Sequence, residues 1–207
     1  MLNIYLTRHG ETKWNKEKRL QGWKDSELTE KGVLNACMLG ARLNKTKFDV
    51  IYTSPSERAY KTALYVKSER DIPIIVESDL KEIFFGEWEG KTQAEIEQNC
   101  KSEYFNFWNA PKLYNHEPHN GESLTEFKKR VERVIRGIIT ENSNGNILIV
   151  THAVVIKAIF SFVLDIPTEK MWEPPFIHGT SLTVFNWDGE KFDVQLLVDT
   201  AHLEKSS

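Results

Sequence analysis

Cysteine is scarce in this sequence, with two residues among 207. Cys37 lies in a segment with helical apolar periodicity and Cys100 lies in a polar segment. Neither cysteine has a CxxC partner or the spacing of metal ligands. We therefore expect two free thiols, and the pattern favours neither a disulfide framework nor a thiolate metal site.

Long apolar runs are missing as well, and no stretch approaches the length that crosses a bilayer. Hydrophobic residues make up 40% and charged residues 28%, which is typical of a soluble globular protein. The opening MLNIYLTRHG lacks a basic region, an apolar core and a cleavage site, so it predicts a first strand instead of a signal peptide. We expect a cytoplasmic protein without a membrane span.

Charge of one sign is not concentrated anywhere along the chain. The formal net charge is −3, and Lys and Arg are scattered among Asp and Glu without a basic stripe. This distribution argues against nucleic acid as a partner. Length, and the lack of repeats or low-complexity tracts, predict a single domain over residues 1–207, with residues 115–121 as a loop.

What is present is an alternation of strand and helix patterns. Strands are predicted over residues 2–7, 48–53, 73–76, 146–151, 181–187 and 191–198. Helices are predicted over residues 29–44, 92–98, 123–140 and 154–164, and another opens at Ser54-Pro55, with Ser54 as N-cap. Such alternation indicates an α/β fold with a mostly parallel central sheet.

Polar residues follow three of the predicted strands. Arg8 and His9 come after the first strand, residues 54–58 after the second, and His152 after the buried run NILIVT. In open α/β sheets, ligands bind at the carboxyl ends of the strands. The sequence therefore predicts that these three groups converge at one edge of the sheet.

The blocks around these strand ends resemble a known family. RHGETKWN, LTEKG, IYTSPSERAYKTA, LKEIFFGEWEG, GES and ILIVTH occur in the order found in the histidine phosphatase superfamily, also called the phosphoglycerate mutase-like family. Similar length, QGW, EGKT and a PP-containing loop make the bacterial broad-specificity phosphatase branch the closest match. The resemblance implies a three-layer sandwich, in which helices flank a mostly parallel central sheet.

Arginine side chains suit a phosphate monoester dianion, because their fixed fork of donors matches the phosphate oxygens. Arg8 and Arg58 are the candidates. The resemblance implies that His9 is the nucleophile and forms a phosphohistidine, and that the Gly10 backbone orients the imidazole. It also implies that His152 lies beside His9 and donates to phosphate oxygens.

Further phosphate contacts are implied for Asn15, Gln21 and Gly22, which match family positions that offer amide and backbone donors. Turn formation is the alternative for these residues, above all for Gln21. Glu82 is the predicted general acid, because its pKa would be raised by the apolar residues 83–85 that follow it. Its competitors are the neighbouring carboxylates Asp79, Glu87 and Glu89.

Aromatic residues favour a phosphatase over a mutase, because the mutase branch surrounds its site with Arg and Lys. Here Ile83-Phe84-Phe85 follow Glu82, and further aromatic residues lie downstream: Phe105, Phe107, Trp108 and Tyr114. They predict a broad-specificity enzyme for aromatic or apolar small phosphomonoesters. Alternatively, these aromatic residues belong to the hydrophobic core. A mutase using Lys101, Lys112, Lys128 and Lys129 and a silent phosphate-binding module also stay open.

No metal or other cofactor is predicted. His116 and His119 form an HxxH pair, but the surrounding loop supplies no third ligand at the usual spacing. His178 and His202 have no assigned role. The expected partner is a small phosphomonoester, and the expected assembly is a monomer or a homodimer.

Overall fold

The computed structural model describes residues 1–203, which form six strands and seven α-helices. The strands are β1 (Leu2–Arg8), β2 (Val50–Thr53), β3 (Ile74–Val76), β4 (Gly145–Thr151), β5 (Leu182–Trp187) and β6 (Phe192–Asp199). The α-helices are α1 (Lys13–Lys16), α2 (Glu30–Arg42), α3 (Glu57–Lys67), α4 (Gln93–Asn99), α5 (Lys101–Asn109), α6 (Leu124–Glu141) and α7 (Ala153–Val163). Short 3-10 turns lie at Ser78–Leu80, Gly86–Trp88, Pro111–Leu113, Glu117–His119 and Thr168–Lys170.

All six strands belong to one sheet, in the order β3-β2-β4-β1-β5-β6. Strands β1 to β4 run parallel to one another, whereas β5 is antiparallel to β1 and β6 is antiparallel to β5. The mostly parallel central sheet predicted from the sequence is therefore confirmed.

Helices cover both faces of the sheet. Along β4, Ile147 and Ile149 pack with buried residues of α6 and α7, while Leu148 and Val150 pack with buried residues of α2 and α3. Successive side chains of a strand point to opposite faces, so a strand buried on both faces is apolar throughout. This arrangement confirms the three-layer α/β sandwich.

The predicted helix starts are built by side-chain caps at three positions. Thr29, Thr92 and Ser123 each accept a hydrogen bond from a backbone N–H in the first turn, and Thr92 also forms a full capping box with Glu95. Each cap satisfies a donor that the helix itself leaves free. Local sequence therefore sets where α2, α4 and α6 begin.

The prediction that Ser54 caps α3 was wrong. The helix begins at Glu57, Ser56 occupies the N-cap position, and Ser54 precedes both in the loop after β2. The Ser54 backbone N–H donates to the Val150 carbonyl (3.1 Å), which continues the pairing of β2 with β4 by one residue. This sheet-like bond holds Ser54 at the end of the strand. Its hydroxyl does not cap the helix and is available for another contact.

Residues 115–121, predicted as a loop, contain a short 3-10 turn that buries His119. The His119 ring stacks on Trp88 at 3.7 Å between centroids, and its Nε2 lies 2.8 Å from the Tyr114 hydroxyl. His116 Nδ1 contacts the Gly121 carbonyl at 3.1 Å. Within residues 1–203 no group of three or more His, Cys, Asp and Glu is arranged to hold a metal.

The expectation of two free thiols is confirmed. Cys37 and Cys100 are both free thiols. Of the helices in the described part of the chain, none has the length and apolar character that a bilayer crossing requires.

Candidate active site

Three neighbouring strands deliver polar residues to one edge of the sheet. Strand β4 lies between β2 and β1, and the parallel register places Arg8 opposite Thr151 and Thr53 opposite Val150. The next residues along the chain, His9 and His152, have ring centroids 5.2 Å apart. The convergence that the sequence predicts is therefore present in the fold.

His9 is buried and held in one orientation. Its Nδ1 lies 2.8 Å from the Gly10 carbonyl, and because a carbonyl only accepts, Nδ1 carries the proton. The Nε2 atom then holds a lone pair, and it accepts a hydrogen bond from Arg58 Nε at 3.3 Å. The ring thus presents an unprotonated nitrogen to the interior of the site.

Gly10 is required by close packing behind His9. A Cβ atom at this position would lie 2.6 Å from the Gly32 carbonyl oxygen, which is backbone and has little room to move. The Gly10 backbone N–H donates to Thr62 Oγ1 at 3.0 Å. These contacts fix the Gly10 carbonyl that orients the His9 imidazole.

Arg58 lies in the first turn of α3 and contacts both histidines. Besides the bond to His9, its Nη2 donates to His152 Nδ1 at 3.2 Å. The guanidinium is 1% exposed, and so it places a full positive charge inside the site. A phosphoryl group bound at His9 Nε2 would meet this charge at close range.

The loop of residues 21–25 wraps around the same guanidinium. Arg58 donates to the carbonyls of Gly22 (2.8 Å) and Lys24 (2.7 Å) and to Asp25 Oδ1 (2.9 Å). Gly22 has φ +55, and a Cβ there would lie 2.0 Å from Glu89 Oε1, so both backbone conformation and packing require glycine. This loop and the two histidines together fix the Arg58 guanidinium.

His152 is held by hydroxyl groups as well as by Arg58. Because Nδ1 accepts from Arg58, Nε2 carries the proton and donates to Ser54 Oγ at 2.8 Å. Ser56 Oγ lies 3.4 Å from the same nitrogen. Arg58 therefore fixes the tautomer of His152, and Ser54 accepts from its Nε2, a contact that sequence reasoning did not assign to Ser54. In this arrangement both ring nitrogens of His152 are engaged.

Both histidines are kept neutral by their surroundings. Burial lowers the pKa of His9 well below its usual value, and the positive charges of Arg58 and Arg8 lower it further. Burial and the charge of Arg58 also hold the pKa of His152 well below the usual range. A neutral imidazole retains the lone pair that a nucleophile needs.

One nitrogen of Arg8 is bound by the protein itself, since Nη1 donates to the Ile177 carbonyl at 2.9 Å. Its Nε is buried without a hydrogen-bond partner, and the Gln21 Oε1 is in the same condition. Both residues line the main cavity. An unpaired buried donor is costly, so a ligand that accepts from Arg8 Nε would relieve that cost.

Asn15 also faces the cavity, with its amide oriented by Thr12. The Asn15 Oδ1 accepts from the Thr12 backbone N–H (3.0 Å) and lies 3.1 Å from the Thr12 hydroxyl. With Oδ1 engaged in this capping box, Asn15 offers its Nδ2 donor to a ligand. Asn15, Gln21 and Gly22 all line the cavity together with Arg8, His9 and Arg58.

Glu82 lines the cavity as a buried carboxyl group. Its two oxygens accept from the backbone N–H groups of Ile83 (3.0 Å) and Val154 (3.2 Å). Burial raises the pKa of Glu82, although these hydrogen bonds and the two arginines oppose the shift. A carboxyl group with a raised pKa is suited to donate a proton.

The competing carboxylates are engaged elsewhere. Asp79 accepts from Arg133, and Glu87 accepts from Asn120 Nδ2 at 2.8 Å. Glu89 accepts the backbone N–H groups of Trp23 (2.8 Å), Lys24 (3.2 Å) and Phe85 (3.2 Å), so it organises the loop around Arg58. Among the four carboxylates, Glu82 is the one that lines the main cavity.

The main cavity has a volume of about 630 Å³ and extends away from the histidines between aromatic side chains. Its aromatic lining consists of Phe85, Tyr104, Trp108, Trp172 and Phe176. Of the four downstream aromatics singled out in the sequence, Trp108 alone lines this cavity. Phe105 is 58% exposed, because it lies on the opposite side of α5 from the buried Tyr104 and Phe107.

The basic residues near the site also differ from those expected. Lys112 pairs with Glu169, Lys128 donates to Thr168 Oγ1 and Lys129 pairs with Glu126, and none of the three, nor Lys101, is part of the cavity lining. The cavity is instead lined by three cationic residues that sequence reasoning missed: Lys18, Arg19 and Lys157. Lys157 is distant in sequence from Lys18 and Arg19, and no sequence motif links the two segments.

Two histidines of unassigned role lie outside this cavity lining. His202 is buried, and its Nδ1 contacts Arg42 Nη1 at 3.2 Å. His178 packs its ring edge-on against Phe176 at 4.9 Å. His202 therefore belongs to the packing of the last described segment, and His178 to the loop that borders the cavity.

The fold and this arrangement of histidines and arginines define the class of the protein. Residues 4–200 match the sequence profile of the histidine phosphatase superfamily (branch 1). The chain belongs to this superfamily, which confirms the family resemblance drawn from its motifs.

Individual relatives support the same assignment. The solved structure of Bacillus stearothermophilus YhfR is 43% identical, with a TM-score of 0.95 over 98% of this chain and 100% of that chain. The adenosylcobalamin/alpha-ribazole phosphatase of Escherichia coli (strain K12) is 33% identical over 83% of each chain. Phosphoserine phosphatase 1 of Hydrogenobacter thermophilus is 30% identical over 83% of this chain and 81% of its own length.

Proposed function

We propose that this chain is a metal-independent phosphatase that hydrolyses small phosphomonoesters through a phosphohistidine on His9. The observation that carries this proposal is the unprotonated Nε2 of His9, a residue that lines one cavity together with Arg8, Arg58 and Glu82. These residues supply a nucleophile, two cationic groups for the phosphate and an acid. The relatives named as phosphatases support the same reaction class.

In the first step, His9 Nε2 attacks phosphorus and the bond from phosphorus to the ester oxygen breaks. Glu82 donates its proton to the departing oxygen, so that an alcohol leaves. Arg8 and Arg58 stabilise the charge that develops on the phosphoryl oxygens, and His152 holds the Arg58 guanidinium by accepting from it at Nδ1. The products of this step are phosphohistidine and a Glu82 carboxylate.

In the second step, a water molecule attacks the phosphohistidine while Glu82 accepts its proton. The bond from phosphorus to Nε2 breaks, and inorganic phosphate and the original neutral His9 result. Glu82 is protonated again, so the cycle closes without any other reactant. Asn15, Gln21 and Gly22 line the same cavity, and in this proposal their amide and backbone donors hold phosphate oxygens in both steps.

The cavity lining supports the proposal of broad specificity for the rest of the substrate. Aromatic side chains bind apolar or aromatic groups without a demanding polar pattern. A volume of about 630 Å³ accommodates leaving groups much larger than glycerate. We propose hydrolysis of several unrelated small esters, with negligible phosphoglycerate mutase activity.

A panel of phosphomonoesters, assayed for released phosphate, tests this function. We expect hydrolysis of aromatic and alkyl esters alike, with aromatic esters favoured in kcat/KM. 3-Phosphoglycerate is assayed separately for conversion to 2-phosphoglycerate, with 2,3-bisphosphoglycerate present. Efficient interconversion would establish the mutase instead, and phosphate binding without any turnover would indicate a silent module.

Activity is also expected to survive removal of divalent metal ions, because the cationic side chains of Arg8 and Arg58 meet the charge of the phosphoryl group. The measurement is the hydrolysis rate of an aryl phosphate before and after dialysis against EDTA. Rates within about twofold of each other are expected. A loss that added Mg²⁺, Mn²⁺ or Zn²⁺ restores would contradict metal independence.

A further inference from the structure

Lys157 is a buried cation in the wall of the main cavity. It lies on α7, is 9% exposed, and donates from Nζ to the Glu173 backbone carbonyl at 2.5 Å. Among the ion pairs formed within residues 1–203, Lys157 has no carboxylate partner. The proposed reaction steps do not use this residue.

A buried ammonium group without a counter-charge is unfavourable. It carries three donors, and a single carbonyl satisfies one of them. Buried charges in proteins are normally paired, because removing an ion from water costs several kcal/mol. Burial also lowers the pKa of Lys157, as expected for an ammonium that lacks an anionic partner.

Lys157 lies on the helix that begins directly after His152, close to the proposed reacting atoms. Helix α7 begins immediately after His152, and its residues Ala153, Val154 and Lys157 all line the cavity. Ala153 and Lys157 are four residues apart, so they share a helix face and lie about 6 Å apart along the axis. Lys157 is thus one helical turn away from the phosphate end of the cavity.

The cavity that Lys157 lines is rich in apolar side chains. Trp108, Trp172 and Phe176 line it, and Trp172 and Pro174 flank the Glu173 carbonyl that holds the ammonium. An ester bound with its phosphate at His9 would lay its body against these rings. Because such surroundings screen charge poorly, an anionic substituent at the far end would interact strongly with Lys157.

We propose that Lys157 is a specificity-determining residue that binds a second anionic group on the leaving group of the substrate. The favoured substrates are then phosphomonoesters with an apolar or aromatic body that also carries a carboxylate or a second phosphate. This inference rests on the proposed phosphatase function and adds a ranking among its substrates. Neutral esters are then also hydrolysed, with a lower kcat/KM than esters that carry the second anionic group.

The test compares esters that differ in one charge. Wild-type enzyme is assayed with 4-carboxyphenyl phosphate and with its neutral isostere 4-carbamoylphenyl phosphate, together with the corresponding 3-substituted pair. We expect kcat/KM to be roughly tenfold higher for at least one carboxylate than for its amide, mainly through KM. A bisphosphate of 1,4-dihydroxybenzene shows whether a second phosphate serves as well as a carboxylate.

Lys157→Met removes the charge and keeps a similar length, and Lys157→Arg keeps the charge. The ratio of carboxylate to amide kcat/KM should fall to about one in Lys157→Met and stay well above one in Lys157→Arg. This ratio compares two substrates of the same variant. A general loss of activity, for example from a less stable loop over residues 172–177, therefore leaves the ratio unchanged. Lys128→Met is the matched control, since Lys128 is half-buried, donates to Thr168 Oγ1 and lies outside the cavity lining.

The outcomes separate this inference from the phosphatase function. Hydrolysis of the neutral esters with a wild-type ratio near one would overturn the role of Lys157 and leave the phosphatase intact. An unchanged high ratio in Lys157→Met would likewise overturn it. No hydrolysis of any ester would instead contradict the proposed function itself.

Discussion

His9→Ala is expected to lose at least about 10³-fold in kcat while the protein stays folded. The imidazole Nε2 is the proposed attacking atom, and the Gly10 carbonyl and Arg58 already hold it in the attacking orientation. With alanine at position 9, the only reaction that remains is direct attack by water on phosphorus. The arginines that bind the phosphate, Arg8 and Arg58, remain in place, so affinity for inorganic phosphate should persist.

Two measurements check this expectation. Rapid quenching of wild-type enzyme into alkali, followed by mass spectrometry, should reveal phosphate on the peptide that contains His9, because phosphohistidine is stable to base. Calorimetric titration with phosphate should show binding by His9→Ala with a Kd near that of wild type. Turnover by His9→Ala near the parent rate, with no trapped phosphopeptide, would replace the covalent step with direct hydrolysis.

Far-UV circular dichroism and thermal unfolding provide the control for folding. His119→Ala is a suitable comparison, since His119 is also buried but stacks on Trp88 away from the cavity lining. We expect that variant to lose stability, because the ring and its contact with Tyr114 are removed. Its kcat should fall far less than that of His9→Ala.

The sheet and the reactive edge were predictable because both depend on local patterns. The run NILIVT predicts a strand buried on both faces, and parallel strands bring their carboxyl ends to one edge. His9, Arg58 and His152 follow three such ends, so their proximity follows from strand order. Helix starts at Thr92 and Ser123 were also local, since each cap binds a backbone N–H three residues ahead.

Ser54 was misassigned because two local patterns compete there. Serine before proline is a common helix start, but Ser54 continues the pairing of β2 with β4 and directs its hydroxyl to His152 instead. That contact spans 98 residues of sequence. Pairing of this kind depends on the order of strands in the sheet, which a capping motif does not encode.

The aromatic wall was only partly predictable because helix phase and loop packing determine it. Phe105 and Trp108 are three residues apart, yet Phe105 is exposed and Trp108 lines the cavity. Trp172 packs beside Trp108, with ring centroids 5.0 Å apart, and its indole N–H donates to the Phe107 carbonyl. A Pro- and Trp-rich segment signals a loop, and only the tertiary fold shows which cavity the loop borders.

Glu82→Gln is expected to slow alkyl phosphates by about 10²- to 10⁴-fold and activated aryl phosphates by less than about tenfold. An alkoxide is a poor leaving group and needs the proton that Glu82 supplies, whereas nitrophenolate leaves without it. The measurement is kcat/KM for a series of esters whose leaving groups span a wide range of pKa. The dependence on leaving-group pKa should be steeper in the variant.

The pH profile gives a second readout for the same variant. Burial raises the pKa of Glu82, and the acid acts in its protonated form, so the wild-type rate for alkyl esters should fall as pH rises through that value. Glutamine does not titrate, and Glu82→Gln should lack this limb. His9 does not impose a rate loss between pH 8 and 6.5, since its pKa lies well below 6.5.

Glu89→Gln separates acid catalysis from the structural effect of altering a buried carboxyl group. Glu89 is also buried and accepts backbone N–H groups, but those bonds organise the loop around Arg58. Its substitution should therefore lower stability and slow alkyl and aryl esters by the same factor. Equal losses for both ester types in Glu82→Gln would give Glu82 that structural role too, because Asp79 and Glu87 are engaged with Arg133 and Asn120.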